Sequence, residues 1–241
     1  MPDITSKAPQ GENTQGGMTY RTIRETARGE VVEKKSRFIG ELFPVTEESE
    51  AETILAGIRK KYYDARHHCP AYIIGVQEEK GTGDDLRLVR TEVKRFSDDG
   101  EPSQTAGRPM MDVLEGAGLS DCLLVVTRYF GGTLLGTGGL VRAYSEAARL
   151  AVEDALSRDI IVTYTLCDLV AVKTDYTDLG KINRLLEKFG GKQLQTDYGA
   201  DVVLHIAVPA SVTPVLQKEL REATAARAGW TPEGMKYLEM K

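Results

Sequence analysis

The chain has 241 residues, of which 41% are hydrophobic and 28% are charged, and this composition is typical of a globular protein with one large or two modest domains. No apolar stretch approaches the roughly 20 residues that span a bilayer, and residues 1–17 lack the basic and apolar blocks of a signal peptide, so we expect a cytoplasmic protein without a membrane partner. The net charge of −5 excludes nucleic-acid binding that depends on bulk charge, and such a function would need a locally basic face.

The N-terminal segment, residues 1–17, is predicted to be a disordered tail because it is rich in Pro, Gly, Gln, Ser and Thr and poor in large apolar side chains. Hydrophobic periodicity and turn residues then predict the elements of a first domain over residues 18–158. In chain order these are a strand over 29–44, a helix over 47–63, strands over 70–77 and 86–96, a short helix near 109–115, a strand over 122–130 and a helix over 137–158. The turn composition of residues 79–85 predicts that the two middle strands pair antiparallel.

The pattern restarts after Arg158, which predicts a second domain over residues 159–241. Its predicted elements are a strand over 160–172, a helix over 178–189, strands over 192–198 and 201–208, a helix over 211–226 and a strand over 230–238. The order βαββαβ is that of the ferredoxin-like fold. The sequence therefore predicts a two-domain α+β protein.

Residues 126–144, VTRYFGGTLLGTGGLVRAY, form the most specific stretch of the chain: an apolar strand, a glycine-rich segment and an amphipathic helix. Glycine lets the backbone turn tightly and expose its N–H groups, and the helix directs the positive end of its dipole to the same place. We interpret the stretch as an anion site, although glycines also simply permit a tight strand-to-helix connection. The candidate ligands are Arg128, Gly131, Gly132, Gly136, Thr137, Gly138, Gly139 and Arg142.

A second loop, SDDGEPSQTAGRP over residues 97–109, also ends at the start of a helix and carries Arg108. We expect the two loops to form neighbouring cradles of backbone N–H groups. The loop acids Asp98, Asp99 and Glu101 are suitable ligands for Mg²⁺ bound with a ligand phosphate. An Asp-Asp-Gly turn with a Ser or Thr cap explains the same residues more simply, and no other cofactor is implied.

The segment RHHCP over residues 66–70 contains candidate catalytic groups. In an extended segment His67 and Cys69 share a face, so they are a candidate base and thiol nucleophile; alternatively, Cys69 is a small buried hydrophobe. His205, the remaining histidine, lies on a distant predicted strand, so no metal site is predicted. The three cysteines lie far apart and are expected to be free thiols: Cys69, Cys122 and Cys167.

The segment KKSRF over residues 34–38 adds positive charge and an aromatic side chain at the start of a strand. Lys35 and Arg37 are therefore candidate phosphate contacts, and the aromatic is a candidate for base stacking. A solvated strand edge is the simpler interpretation. Phe130 has two similar interpretations, as a stacking residue or as part of the core.

Four motifs follow one another in the order found in the IMPACT family: SRFIG at residues 36–40, the His-His-Cys-Pro-Ala segment, DDGEPSQTAGRP at 98–109, and RYFGG…LGTGGLVRAY. The chain resembles this family, in particular its bacterial YigZ-like members, over roughly residues 18–158, and its C-terminal half is similar to their small second domain. The resemblance implies a two-layer α/β first domain like domain IV of elongation factor G and a second domain like domain V of that translocase. It also implies a link with translational control, in which eukaryotic relatives act through protein partners.

Competing functions follow from these residues. We favour a regulatory binding protein of the translation system over an enzyme, with Arg37, Arg108, Arg128 and Arg142 binding RNA or the surface of a ribosome or translation factor. The alternative is an enzyme that acts on a small phosphorylated or acyl substrate. Its acid, base or nucleophile would come from His67, Cys69, Asp98, Asp99 or Glu101. A further alternative is a protein-interaction module without nucleic-acid binding.

Overall fold

The computed structural model describes residues 18–81 and 87–240. The predicted tail at residues 1–17 lies outside the described residues, as does the centre of the turn predicted at 79–85. The chain forms two compact units, one of Tyr20–Gln77 and Arg90–Val162 and one formed mainly by the residues from Thr163 onward. In the described part of the chain, no helix is both long enough and apolar enough to cross a membrane.

The elements up to the end of the first unit are strands interspersed with helices that carry one apolar face. In chain order they are β1 (Thr19–Ile23), β2 (Ala27–Glu33), β3 (Ser36–Pro44), α1 (Glu48–Lys61), β4 (His67–Lys80), β5 (Arg87–Phe96), α2 (Gly107–Gly116), β6 (Cys122–Tyr129) and α3 (Thr137–Ser157). Helix α3 shows the physical basis of this arrangement. Residues that recur every three or four positions share one helix face, and the residues of this face are buried: Leu140, Tyr144, Ala148 and Ala151.

The sheet of the first unit has the strand order β2-β3-β6-β4-β5, and β6 runs antiparallel to both of its neighbours. Successive residues of a strand face opposite sides of the sheet. Leu124 and Val126 therefore pack in the core with α2 and α3, whereas Leu123 and Val125 pack in a second core with α1. Helices therefore pack against both faces of this sheet.

The stretch predicted as strand over residues 29–44 is a hairpin in the structure. Strands β2 and β3 pair antiparallel from Ala27 opposite Leu42 to Glu33 opposite Ser36, which leaves two residues as the turn. These residues, Lys34 and Lys35, have positive φ angles of 46° and 67°. That geometry is typical of a type I′ turn, which favours Gly, Asn and Asp. The sequence conceals the turn because lysine is uncommon in this conformation.

The second unit has the predicted βαββαβ order. Its elements are β7 (Ile161–Thr174), α4 (Leu179–Lys188), β8 (Lys192–Tyr198), β9 (Val202–Pro209), α5 (Thr213–Ala223) and β10 (Gly229–Glu239). The strands lie in the order β8-β9-β7-β10, and each neighbouring pair is antiparallel. Val170 and Leu204 on the sheet share a core with Ile182 of α4 and Leu216 of α5. The ferredoxin-like prediction is confirmed.

Candidate anion-binding surface

The sequence motifs gather at one end of the first unit's sheet. Because β6 runs antiparallel to β3 and β4, its carboxyl end lies beside the amino ends of both neighbours. In register, Tyr129 is opposite Arg37, and Arg128 is opposite His67. We call this region, formed by residues 34–37, 66–69 and 128–139, the motif end of the sheet.

The loop of residues 97–109 lies at the same end. The Ser97 N–H donates to the Pro70 carbonyl oxygen (3.0 Å), and the Cys69 thiol donates to the Asp98 carbonyl oxygen (3.2 Å). The carboxylate of Glu101 accepts hydrogen bonds from β6 and from α3. The two loops in which the sequence predicts cradles therefore lie against the same part of the unit.

A buried ion pair lies beneath this surface. Glu101 Oε1 accepts hydrogen bonds from Arg128 Nη1 (2.6 Å) and the Tyr144 hydroxyl (2.8 Å), and His67 Nε2 is 3.9 Å from the same oxygen. Only 3% of the Glu101 side chain and 6% of the Arg128 side chain are exposed. This position argues against Arg128 as a direct phosphate ligand, because its charge is already matched by an internal carboxylate and screened from solvent by the fold.

Tyr144 is the member of this cluster that sequence reasoning missed as a functional residue. Its spacing along α3 places it in the buried stripe, and the structure confirms that it is fully buried. Its hydroxyl nevertheless joins the Glu101 carboxylate to the Cys69 thiol, which lies 3.5 Å away. The available signal was a tyrosine on an alanine-rich buried face of α3. A buried tyrosine hydroxyl usually has a hydrogen-bond partner, so this residue predicts a polar group beside it.

The N-terminus of α2 is occupied by a carboxylate of the chain itself. Asp98 Oδ1 accepts from the backbone N–H groups of Ala106 and Gly107 (both 2.9 Å), and Oδ2 accepts from that of Gln104 (2.7 Å). A carboxylate in this position satisfies free N–H groups at the start of the helix and matches its dipole. Asp98, rather than the expected Ser or Thr, is therefore the cap, and it fills the cradle predicted over residues 97–109.

Asp99 is likewise engaged within the protein. Its Oδ1 accepts from Arg59 Nη2 (2.7 Å), and its Oδ2 accepts from the His68 N–H (2.7 Å). The three acids of the loop thus bind three separate sets of donors. Within residues 18–81 and 87–240, no group of three or more His, Cys, Asp or Glu side chains is arranged to hold a metal ion. These contacts argue against the Mg²⁺ site considered from the sequence.

Cys69 is a buried neutral thiol. Its side chain is 0% exposed, and burial raises the pKa of the thiol well above its usual range. His67 Nδ1 lies 2.9 Å from the Asp99 carbonyl oxygen, and since a carbonyl can only accept, Nδ1 carries the proton and donates. A nucleophilic cysteine needs an accessible thiolate. The arrangement therefore argues against the predicted base–thiol pair.

The glycine-rich segment starts with a close contact between backbones. A Cβ on Gly131 would lie 2.0 Å from the Lys35 carbonyl carbon, so only glycine fits here, and the Gly131 N–H donates to Ser36 Oγ (3.1 Å). Gly132 follows with a positive φ of 84°. This contact fixes the segment to the β2–β3 turn, and it brings Lys35 beside the start of the glycine run.

The end of the segment is an open helix N-terminus. Gly136, with a positive φ of 72°, precedes the 21-residue helix α3. Among the described residues no side chain caps α3, and its first turn has no acidic residue. Thr137 and Gly138 are exposed, whereas Gly139 is buried against Leu135. Unlike α2, α3 therefore presents its first N–H groups to solvent.

The predicted cations differ in their availability. Arg37 forms an exposed pair with Glu30 (2.6 Å), and its hydrogen bond lowers the pKa of Glu30. Arg108 lies along α2, 2.7 Å from Asp112 and 3.7 Å from Glu115. Among the described residues, four exposed cations of the motif end and the first turns of α3 form no ion pair. They are Lys34, Lys35, Arg66 and Arg142. Lys35 and Arg142 were candidate ligands from the sequence, and the other two were not.

Family models and individual proteins both match this chain. The model of the Impact N-terminal domain matches residues 34–152, and that of a domain of unknown function, DUF1949, matches residues 172–227. "IMPACT family member YvyE" of Bacillus subtilis is 34% identical over 92% of this chain and 94% of that protein. "IMPACT family member YigZ" of Escherichia coli is 37% identical over 74% of this chain and 80% of that protein.

A solved structure is also similar over most of the chain. It is described as "Crystal structure of an hypothetical protein" and has a TM-score of 0.52 and 31% sequence identity, over 89% of this chain and 97% of that one. A more distant relative, "Protein IMPACT homolog" of Dictyostelium discoideum, is 36% identical over 44% of this chain and 28% of its own length.

Proposed function

This chain belongs to the IMPACT family, and on that premise we propose that it is a translation-associated regulatory protein that binds the phosphates of RNA at the open N-terminus of α3. The association with translation is supported by what the family resemblance implies: a fold like two domains of elongation factor G and eukaryotic relatives in translational control. Fold analogy is a weak argument for function by itself. The weight of the proposal therefore rests on the site.

The contrast between two helix N-termini carries the proposal. Both α2 and α3 begin at the end of a loop at the motif end, but among the described residues only α2 has its first N–H groups satisfied by a carboxylate, that of Asp98. Free N–H groups and the positive end of a helix dipole together favour an anion. Arg142 lies one turn into α3, with Nη1 3.8 Å from the position of a Cβ on Gly138. A phosphate at α3 would therefore meet backbone donors and a guanidinium.

The local charge supports the same ligand despite the net charge of −5. The acids of the 97–109 loop are matched internally: Glu101 by Arg128, Asp99 by Arg59, and Asp98 by backbone N–H groups. The cations without ion pairs, described above, are left to face solvent. Phosphate contacts of this kind supply most of the affinity of non-specific RNA binding. The exposed acids beside these cations are Glu33 and Asp64, so four cations against two acids support a locally basic face.

The enzyme alternative has no comparable support. The thiol of Cys69 is buried and neutral, and the carboxylates of Asp98, Asp99 and Glu101 each bind donors of the protein itself. General acid–base or nucleophilic catalysis needs such groups within reach of a substrate. The protein-interaction alternative makes no demand on these groups, and the binding experiment below distinguishes it.

The test is the salt dependence of RNA binding. Fluorescence anisotropy with labelled single-stranded oligouridylate should show an affinity that falls steeply between about 50 and 200 mM salt, with a logarithmic slope of about −0.7 for each phosphate contact. Lys35→Ala and Arg142→Ala should each weaken binding and make the slope shallower by about 0.7. Arg149→Ala is the matched control, because Arg149 is an exposed arginine of the same helix that is paired with Glu146 and Glu153.

A flat salt response, or an equal effect of all three variants, would contradict phosphate binding at this site. If the wild-type protein binds no RNA and instead retains a partner from lysate after nuclease treatment, the proposal is wrong and the protein-interaction alternative takes its place.

A further inference from the structure

Phe130 is a large aromatic side chain that the cores of the first unit do not absorb. It directly follows the last residue of β6 and precedes the glycine-rich segment, and 42% of it is exposed. In the described part of the chain, neither hydrophobic cluster of the first unit includes it, whereas Phe38, which lies opposite Arg128 on β3, is fully buried. The expectation that Phe130 fills the core is therefore not met.

Two guanidinium groups flank the Phe130 ring. Arg128 Cζ is 5.6 Å from the ring centroid, and Arg66 Cζ is 6.0 Å from it. The two arginines differ in environment, because Arg128 is buried and held by Glu101, whereas Arg66 is exposed. Cations at this distance are attracted to an aromatic face. Arg128 is thus held within the unit by Glu101, and Arg66 is an exposed cation near the ring.

The backbone on both sides of the ring is fixed. Before Phe130, Tyr129 pairs with Arg37 in the β3–β6 ladder; after it, the Gly131 N–H donates to Ser36 Oγ (3.1 Å). The close contact of Gly131 with the Lys35 backbone leaves little room for movement. A backbone held in this way places the Phe130 ring at the sheet end before a ligand arrives, which lowers the entropic cost of binding.

We propose that Phe130 is a stacking platform for an unpaired base of the bound RNA, with Arg66 contacting the phosphate next to that base. This inference rests on the proposed RNA-binding function and adds to it the class of ligand: single-stranded rather than duplex RNA. Every base has a π face that stacks on an aromatic ring, and an aromatic beside a basic surface is the usual combination in proteins that bind single strands. The bases of a duplex are stacked on each other and cannot reach the ring.

The experiment compares two RNA probes, single-stranded oligouridylate and an RNA duplex of the same length, by fluorescence anisotropy. Phe130→Ala should weaken binding of the single strand by about tenfold or more, leave the weaker duplex binding unchanged, and keep the salt slope of the wild type, because no phosphate contact is lost. Phe130→Trp should retain the affinity, and the fluorescence of the new indole should be quenched when the oligonucleotide binds.

Tyr198→Ala is the matched control, since Tyr198 is an aromatic residue of the second unit, 68% exposed and outside the motif end, and its loss should not affect either probe. The melting temperature of Phe130→Ala should stay near that of the wild type because the ring is outside the cores. If Phe130→Ala binds the single strand as the wild type does, or weakens both probes equally, stacking is wrong while phosphate binding stands. If the wild type binds neither probe, the proposed function fails as well.

Discussion

Replacing Glu101 with alanine tests whether the buried ion pair fastens the 97–109 loop to the motif end. The variant leaves Arg128 with 6% of its side chain exposed and no carboxylate partner, and the Tyr144 hydroxyl loses its acceptor. At the observed 2.6 Å, two unit charges attract by about 6 kcal/mol at an effective dielectric constant of about 20. Part of this attraction offsets desolvation, so we expect the free energy of unfolding to fall by about 3–5 kcal/mol.

Urea unfolding followed by circular dichroism measures this loss. Asp112→Ala is the matched control, because Asp112 forms an exposed pair with Arg108, and its removal should cost less than about 1 kcal/mol. The double variant Glu101→Leu with Arg128→Met removes both buried charges and should recover much of the stability. A loss below about 1 kcal/mol in Glu101→Ala, or a double variant no more stable than the single one, would refute the view that Arg128 depends on this carboxylate.

Two other predictions concern the Asp98 carboxylate and the buried thiols. Asp98→Ala should lower the free energy of unfolding, measured in urea, by about 1–2 kcal/mol, because three backbone N–H groups lose their acceptor. Asp98→Asn should retain part of the lost stability. Unchanged stability of Asp98→Ala would mean that the carboxylate does not cap α2. All three cysteines are buried free thiols, so a thiol reagent should label the native protein only as fast as it unfolds. Rapid labelling of Cys69 at neutral pH, located by peptide mapping, would show that a nucleophile is accessible after all.

Regular elements were the part of the fold that the sequence could predict. The stripe of α3 and the alternation of Val202, Leu204 and Ile206 in β9 reflect burial on one face, and burial is what a hydrophobic pattern records. The order βαββαβ then followed from the sequence of the elements. The β2–β3 turn was not predicted because its two lysines adopt positive φ angles, which are uncommon for lysine and are not indicated by its side chain.

The candidate site was predictable in position but only partly in chemistry. The expectation of neighbouring loops came from two loops that each end at a helix start, and the antiparallel pairing of β6 with β3 and β4 is what brings the motifs to one end of the sheet. It could not show which acceptors the loop N–H groups use, since that depends on the direction of single side chains such as Asp98. The sequence also could not show the partner of Arg128. Its charge suggested a surface ligand, but it pairs with Glu101, which is 27 residues away in the chain.

The turn between β2 and β3 has a consequence for how this chain balances folding against function. Lys34 and Lys35 both occupy left-handed backbone conformations, which cost a non-glycine residue on the order of 1 kcal/mol or more. Asn-Gly would form the same turn with less strain. A sequence shaped for stability alone would therefore not place lysines there, and the strain is understandable if two ammonium groups at this corner serve something other than folding.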